Sequence, residues 1–507
     1  MRRLLKVITG RLMIAVPLAL LQAGLFIALI WRAALAWEIM PVINILSVVM
    51  TLHCINRQAD QSFKIAWCII LLALPVVGVP LYLLCADRKM PKKLRSGTIR
   101  ASEEMMGLLS NDEGVIRESV LMDPDLVNVV SYGARTCGYP VYKNTSSRYF
   151  ASGEEWLPVY IEELKKAKHF IFIEFFIIDE GSVLDEIVEV LKQKAKEGVE
   201  VKVIYDDFGS ITMPWHYDRT LNSYGIEAYR FNHVRPAFIV QMNNRTHRKI
   251  TVIDNNVAFT GGLNLADEYV NRIKRFGYWR DSAIMIKGEA VWSMTVMFLG
   301  MLSYERGKNR VDFSRYRLPC AMTGDGGYYQ PFSDSPNDAE TVSMNIHLSL
   351  ITHARDYIYI NTPYLIPNDT IKNALILAAK SGVDVRIITP HIPDKIFVNQ
   401  ITKANYGPLI RAGVKIYEFT PGFNHSKTFV SDDRLAIAGT VNMDYRSYYL
   451  HFENGILMTH TDQIAAMRKD FEDTLKVSQL ITEQDLENTS LPVRLFRAVL
   501  NLFVPLV

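Results

Sequence analysis

A chain of 507 residues with 49% hydrophobic content is long enough for two or three domains with cores of their own. Its net charge of +3 is too near balance to call for nucleic acid as a partner. The five cysteines, Cys54, Cys68, Cys85, Cys137 and Cys320, have neither paired nor metal-ligand spacing, which argues against a disulfide framework and favours buried thiols.

The front of the chain is its most apolar part. Leu12 to Trp31 is a run of 20 residues without a charge, long enough to cross a bilayer. Ile65 to Cys85 is a second such run, containing Pro75, Gly78 and Pro80, which membrane helices tolerate. Ala36 to Ile55, apolar apart from Glu38, is a candidate third. Arg2, Arg3 and Lys6 followed by Ala34-Leu35-Ala36 give the first run a signal-peptide rival, but its apolar stretch is longer than a signal core. Residues 1–90 therefore read as a membrane region of two or three segments. With three spans the basic residues divide evenly between the two sides, so they set no orientation. With the middle segment interfacial or re-entrant, both basic clusters fall on one side, taken as cytoplasmic.

Residues 91–134 read as a connector, basic at Lys92, Lys93, Arg95 and Arg100, then acidic at Glu103, Glu104, Asp112 and Glu113. The basic start suits either anionic headgroups or plain water. Beyond it the chain repeats itself. Ala167 to Glu174 (AKHFIFIE) recurs as Ala354 to Asn361 (ARDYIYIN), a buried strand in each copy. Ala195 to Ile204 recurs as Ala379 to Ile388, a helix end, a C-cap glycine and another strand. Gly225 to Tyr229 then matches Gly413 to Tyr417. The predicted architecture is α/β, two pseudo-symmetric halves at 135–312 and 341–507, joined by a linker over 313–340. Gly324-Asp325-Gly326-Gly327 in that linker lacks the helix and lysine of a phosphate loop. Only the first half carries extra residues, His233 to Asn243, a candidate loop over the site.

Each half also carries one copy of H-x-K-x4-D. The first runs from His247 through Lys249 to Asp254, the second from His425 through Lys427 to Asp432. Each is followed by a glycine turn and an asparagine, Gly261-Gly262-Leu263-Asn264 and Gly439-Thr440-Val441-Asn442. Composition alone predicts roughly 0.03 such matches in this chain, so two copies at equivalent places in a repeat are not accidental. On a strand, alternate side chains share a face, so each His and its Lys point the same way, with each Asp near the strand end. Two imidazoles and two ammonium groups brought to one substrate suit phosphodiester exchange. One imidazole attacks phosphorus, the other protonates the leaving alkoxide and later deprotonates the incoming hydroxyl. Lys249 and Lys427, with Asn264 and Asn442, can hold the phosphoryl oxygens, so no metal or other cofactor is expected. Asp206-Asp207 before Gly209 reads as a turn and not as a metal site.

The paired motifs resemble those of the phospholipase D superfamily over residues 135–490. The resemblance implies that each histidine is oriented by a carboxylate further along its own half. The candidates are Asp281 in Tyr278-Trp279-Arg280-Asp281 and Glu453 in His451-Phe452-Glu453-Asn454. Within the superfamily the chain is similar to the bacterial cardiolipin synthases. The carrying features are the front run from Leu74 to Leu84, Thr362-Pro363-Tyr364-Leu365-Ile366-Pro367, Tyr205-Asp206-Asp207-Phe208-Gly209-Ser210 and Asn442-Met443-Asp444-Tyr445-Arg446-Ser447. Thr440 stands where that family usually has serine, and His451 where it usually has asparagine. The resemblance implies that two phosphatidylglycerols become cardiolipin and glycerol in the bacterial cell membrane, with a multi-pass anchor. It also favours His247 as nucleophile. Arg494, Arg497 and Asn501 form a polar stripe on the apolar tail from Leu491, which suits an interfacial helix or packing against the second half. The alternatives are a hydrolytic phospholipase D, another phosphatidyltransferase of the superfamily, or an inactive membrane scaffold.

Overall fold

The computed structural model describes residues 37–57, 59–86, 92–234, 243–307, 311–338 and 340–504, with three isolated positions before them. Apart from Gly24, Ile27 and Ala28, the expected span from Leu12 to Trp31 lies outside the described residues, as do residues 235–242 of the candidate loop. Two sheets dominate. The first half supplies β1 (Thr145–Phe150), β2 (Phe170–Phe175), β3 (Glu200–Asp206), β4 (Glu227–Phe231), β5 (Ile250–Ile253), β6 (Val257–Gly261), β7 (Tyr278–Arg280) and β8 (Ala283–Gly288). The second half supplies β9 (Tyr328–Asp334), β10 (Tyr357–Asn361), β11 (Asp384–Pro390), β12 (Lys415–Phe419), β13 (Gly422–Asn424), β14 (Thr428–Ser431), β15 (Leu435–Gly439), β16 (Glu453–Thr459) and β17 (Ser478–Ile481).

The two sheets share one plan. The first runs β1-β8-β6-β5-β2-β3-β4, and the second repeats it as β9-β16-β15-β14-β10-β11-β12 before adding β17. In each, the central strand pairs parallel on one side and antiparallel on the other, β2 with β3 and β5, β10 with β11 and β14. These are the mixed, helix-flanked sheets expected of two α/β halves. The helices Ser182–Lys196 and Asp369–Lys380 are the equivalent parallel crossovers, each apolar on the face turned to its sheet.

One expectation is corrected at the joint. The stretch read as linker contains β9, seven residues that pair antiparallel with β16 along their whole length. β9 accommodates Pro331 because it is an edge strand, where a missing N–H on the outer side leaves no ladder bond unmade. The two halves also share a core. A single apolar cluster runs from Phe172, Ile250 and Phe298 to Ile360, Phe429 and Ile456. At its centre the helix Val291–Arg306 is buried through its first 13 residues, which explains why its sequence is apolar all round. The connector helix Lys92–Met106 packs on it.

At the front, helices Met40–Asn56, Gln61–Ala73 and Pro75–Cys85 pack on one another. Ile65 to Cys85 is thus not one span. The chain breaks at Leu74 (φ −134°, ψ 63°), because Pro75 disfavours helical geometry in the residue before it. Gly78 then lies against the Ile70 carbonyl, where an added Cβ would sit 2.5 Å from the oxygen, so the tight turn requires glycine. Among the described residues no helix is long and apolar enough to cross a membrane. The polar tip of this bundle touches the second half, Tyr445 donating to Asp60 at 3.2 Å and Ser62 to Asp369 at 3.2 Å.

Candidate active site between the two halves

Each histidine lies in an extended segment just ahead of β5 or β14, and each backbone is tied to the opposite half. The His247 N–H donates to Phe452 O at 2.8 Å, and the His425 N–H to Arg280 O at 2.7 Å. β7 and β13 make the second tie a short parallel ladder, with Arg280 opposite Asn424. Phe452 and Arg280 each immediately precede a candidate carboxylate. The crossing therefore delivers Glu453 to His247 and Asp281 to His425. His247 Nδ1 lies 2.9 and 3.0 Å from the two oxygens of Glu453, and His425 Nδ1 lies 2.6 Å from Asp281 Oδ2. The expectation that each histidine takes a carboxylate from its own half is corrected: the partners are exchanged. Both carboxylates are fully buried, and both histidines are 7% exposed.

A buried carboxylate on Nδ1 fixes the tautomer, leaving the Nε2 lone pair for chemistry. Burial, then the charges of Lys249, Lys427 and His425, pushes the His247 imidazole well below its usual range. Burial and Lys427 bring His425 down to about 4, with Asp281 pulling the other way. Burial thus disfavours the charged form of both rings while no anion lies between them. Each histidine is held by the backbone and the carboxylate of the other half, which makes the two motifs halves of one site. Lys249 Nζ donates to the His247 carbonyl at 2.8 Å, and Lys427 Nζ to that of His425. Burial brings Lys249 to about 7 and Lys427 to about 8, against the pull of the carboxylates. A phosphodiester anion placed among these groups restores both ammonium charges and raises both imidazoles.

The aspartates of the two motifs sit elsewhere. Asp254 and Asp432 adopt left-handed backbone (φ 53° in both) at the far ends of β5 and β14. Asp254 accepts the N–H groups of Lys168, His169 and Phe170 at 2.7–2.8 Å. Asp432 accepts those of Arg355, Asp356 and Tyr357 at 2.8–3.0 Å. They hold the entry to each central strand, seven residues beyond the histidines, roughly 23 Å along extended chain at about 3.3 Å per residue. Asn264 is also committed, accepting from Ile177 N–H and donating to Tyr269, whose ring stands 5.7 Å from His425. The Asn442 amide oxygen is buried without a hydrogen-bond partner. Asp206 accepts the N–H groups of Phe208 and Gly209, the expected turn, and that of Thr246 beside His247.

Several supporting residues carry no motif. The residue before each histidine is clamped to the central strand, Thr246 to Glu174 and Asn424 to Asn361 at 3.1 Å. The one legible trace is that Glu174 and Asn361 end the same aligned run. Thr440 donates its hydroxyl to Glu453. Its counterpart Gly262 leaves room for Asp281, since a Cβ there would lie 1.9 Å from the carboxylate. His451 and Trp279, two residues before the carboxylates, place their rings 5.5 Å from His247 and 5.2 Å from His425. Among the described residues one group has metal-ligand proximity: ligand atoms of His247, His451 and Glu453 lie within 4.8 Å of one another.

Comparison with known proteins agrees with this geometry. Residues 160–290 and 347–475 each match the family described as cardiolipin synthase, PLD-like domain, and residues 45–85 match the phospholipase D-nuclease N-terminal family. The chain is 40% identical over 462 residues to an uncharacterized protein of Streptococcus mutans, covering 90% of this chain and 99% of that one. It is 31% identical over 502 residues to a cardiolipin synthase of Halalkalibacterium halodurans, covering 98% and 99%. The fold superposes on phosphatidylserine synthase of Haemophilus influenzae with a TM-score of 0.57 at 16% identity, over 75% of this chain and 100% of that one. With both halves matched and relatives aligned almost end to end, the chain belongs to the cardiolipin synthase family of phospholipase D-like proteins.

Proposed function

We propose that the protein is a cardiolipin synthase that joins two phosphatidylglycerols by phosphatidyl transfer through a covalent phosphohistidine. The observation that carries this reading is the pair of carboxylate-held imidazoles, flanked by two buried lysines, facing one site from two halves. His247 Nε2 attacks the phosphorus of the first lipid, the bond to the headgroup oxygen breaks, and His425 protonates the departing glycerol. The terminal hydroxyl of the second phosphatidylglycerol then attacks phosphorus, gives its proton to His425, and expels His247 with cardiolipin as product. Asp281 makes a short bond to His425 and supports its protonation, which suits His425 to the acid–base role. Lys249 and Lys427 bind the non-bridging oxygens. One phosphodiester replaces another, so neither a nucleotide nor a metal cofactor is required.

Both substrates are bilayer lipids, and the apolar surface suits a bacterial cell membrane. Val42, Ile45, Val49 and Leu52 of the front bundle are exposed. In the helix Leu491–Phe503 the apolar side is outward at Leu491, Leu495, Phe496 and Val499. Its Arg494, Arg497 and Asn501 face a cleft shared with Lys403 and Arg411. A helix of a soluble protein is oriented the other way, so this one is an interfacial helix. A multi-pass anchor rests on Leu12 to Trp31. The purified protein with phosphatidylglycerol vesicles tests the activity: cardiolipin and glycerol in equal amounts are expected, and phosphatidic acid as sole lipid product overturns the synthase reading.

A further inference from the structure

The two half-sites differ in the ring that stands beside each histidine. His451 stands beside His247, where the other half places Trp279 beside His425. The His451 side chain is 10% exposed, yet neither ring nitrogen makes a hydrogen bond. Burying an imidazole with both nitrogens unsatisfied costs free energy, and such a group is a ready ligand. Its Nδ1 lies 3.7 Å from Glu453 Oε1, the same oxygen that His247 Nδ1 approaches at 2.9 Å. Ligands about 2.0–2.1 Å from a tetrahedral zinc ion are separated by roughly 3.4 Å, so these separations bracket the spacing an ion imposes. Glu453 is kept in place through Oε2 by Thr440, leaving Oε1 for the ion.

We propose that His247, His451 and Glu453 form an inhibitory site for a divalent ion of the zinc type, bound through two imidazole nitrogens and one carboxylate oxygen. Two nitrogens and one oxygen form a set that favours zinc and its neighbours over magnesium or calcium. The ion binds His247 Nδ1 in place of the proton shared with Glu453, and that single ring proton moves to Nε2, which gives the other neutral tautomer. That nitrogen loses its lone pair to the N–H bond and cannot attack phosphorus. The second half-site has no equivalent, because the Trp279 indole N–H has no lone pair to give. The inhibition rests on the reading of His247 as a reacting group; the binding does not.

The full-length protein in detergent micelles is titrated with Zn2+ alone, by calorimetry and by metal analysis after dialysis, as wild type and as His451→Phe. Wild type is expected to retain one more ion per chain than His451→Phe. Zn2+ should abolish glycerol release from phosphatidylglycerol in wild type and not in the variant. Should His451→Phe fail to fold, His451→Asn keeps a neutral polar side chain without an imidazole and carries the same comparison. Equal stoichiometry in wild type and variant overturns the site. Loss of the ion without relief of inhibition leaves the site and overturns the link to His247. Absence of cardiolipin from metal-free wild type counts against the synthase reading alone.

Discussion

The crossed carboxylates make a sharp prediction about which variant fails at which step. Glu453 holds His247, and Asp281 holds His425, although each is encoded in the other motif's half. Replacing either by its amide keeps the shape but removes the charge and the preferred tautomer. In the serine protease triad the equivalent change costs about 10⁴ in turnover, roughly 5 kcal/mol of barrier. Steady-state rates of both variants should therefore fall by about that factor. The discriminating assay is rapid-quench trapping with a phosphatidyl ester of an activated phenol, whose departure needs no acid. Glu453→Gln should lose the burst of phenol and the labelled intermediate. Asp281→Asn should keep the burst and accumulate label on His247, because the stalled step is activation of the acceptor hydroxyl. Label on His247 that depends on Asp281 and not on Glu453 would refute the crossed arrangement. Label on His425 would instead reverse the assignment of nucleophile.

Four further outcomes follow from the geometry. Burial places Lys249 at about 7 and Lys427 at about 8, and the phosphodiester binds their charged forms, so kcat/KM should fall as pH rises through that window; a profile flat to about pH 9 contradicts this. Because both folded values lie below the ordinary 10.5, the folded state holds fewer protons between the two, and this contribution to stability rises with pH there. Lys249→Met should accordingly raise Tm at neutral pH by a few degrees while abolishing turnover. Asp254→Ala removes the acceptor of three backbone N–H groups and should cost about 2–4 kcal/mol of stability, with normal yield of intermediate in the folded fraction; loss of chemistry without loss of stability would place Asp254 at the reacting centre after all. Leu495→Asp with Phe496→Asp should weaken binding of the chain to anionic vesicles roughly a hundredfold if the outward face of the last helix lies in the interface; unchanged binding assigns that face no membrane contact.

An asymmetry between the halves fits the proposed division of labour. Asp281 has room beside it only because residue 262 is glycine, and it divides its charge between His425 and the Ser282 N–H. Glu453 divides its charge between His247 and the Thr440 hydroxyl. The Asp281 oxygen lies 2.6 Å from its histidine and the nearer Glu453 oxygen 2.9 Å, and the closer carboxylate favours a protonated imidazole more strongly. That difference suits His425 to the acid–base role and His247 to the nucleophile's role in the proposed mechanism.

The sequence by itself determined the repeat, the sheet-forming runs and the His–Lys pairs. Those depend on local pattern: period-two burial, glycine stops and spacing within a few residues. It also marked Asp281 and Glu453 as the carboxylates of interest. Which carboxylate serves which histidine is settled only in three dimensions. That depends on the backbone ties from His247 to Phe452 and from His425 to Arg280, which join residues 205 and 145 positions apart in numbering and leave no local signal. The same holds for Asp254 and Asp432, motif members whose place beside the histidines in the text is undone by the strand that separates them in space. β9 was hidden for a related reason, since a strand with proline at its centre is acceptable only at an edge, and an edge exists only once the sheet is assembled. His451 shows the limit from the other side: one substituted letter in a run, whose unsatisfied nitrogens and nearness to His247 exist only in the fold.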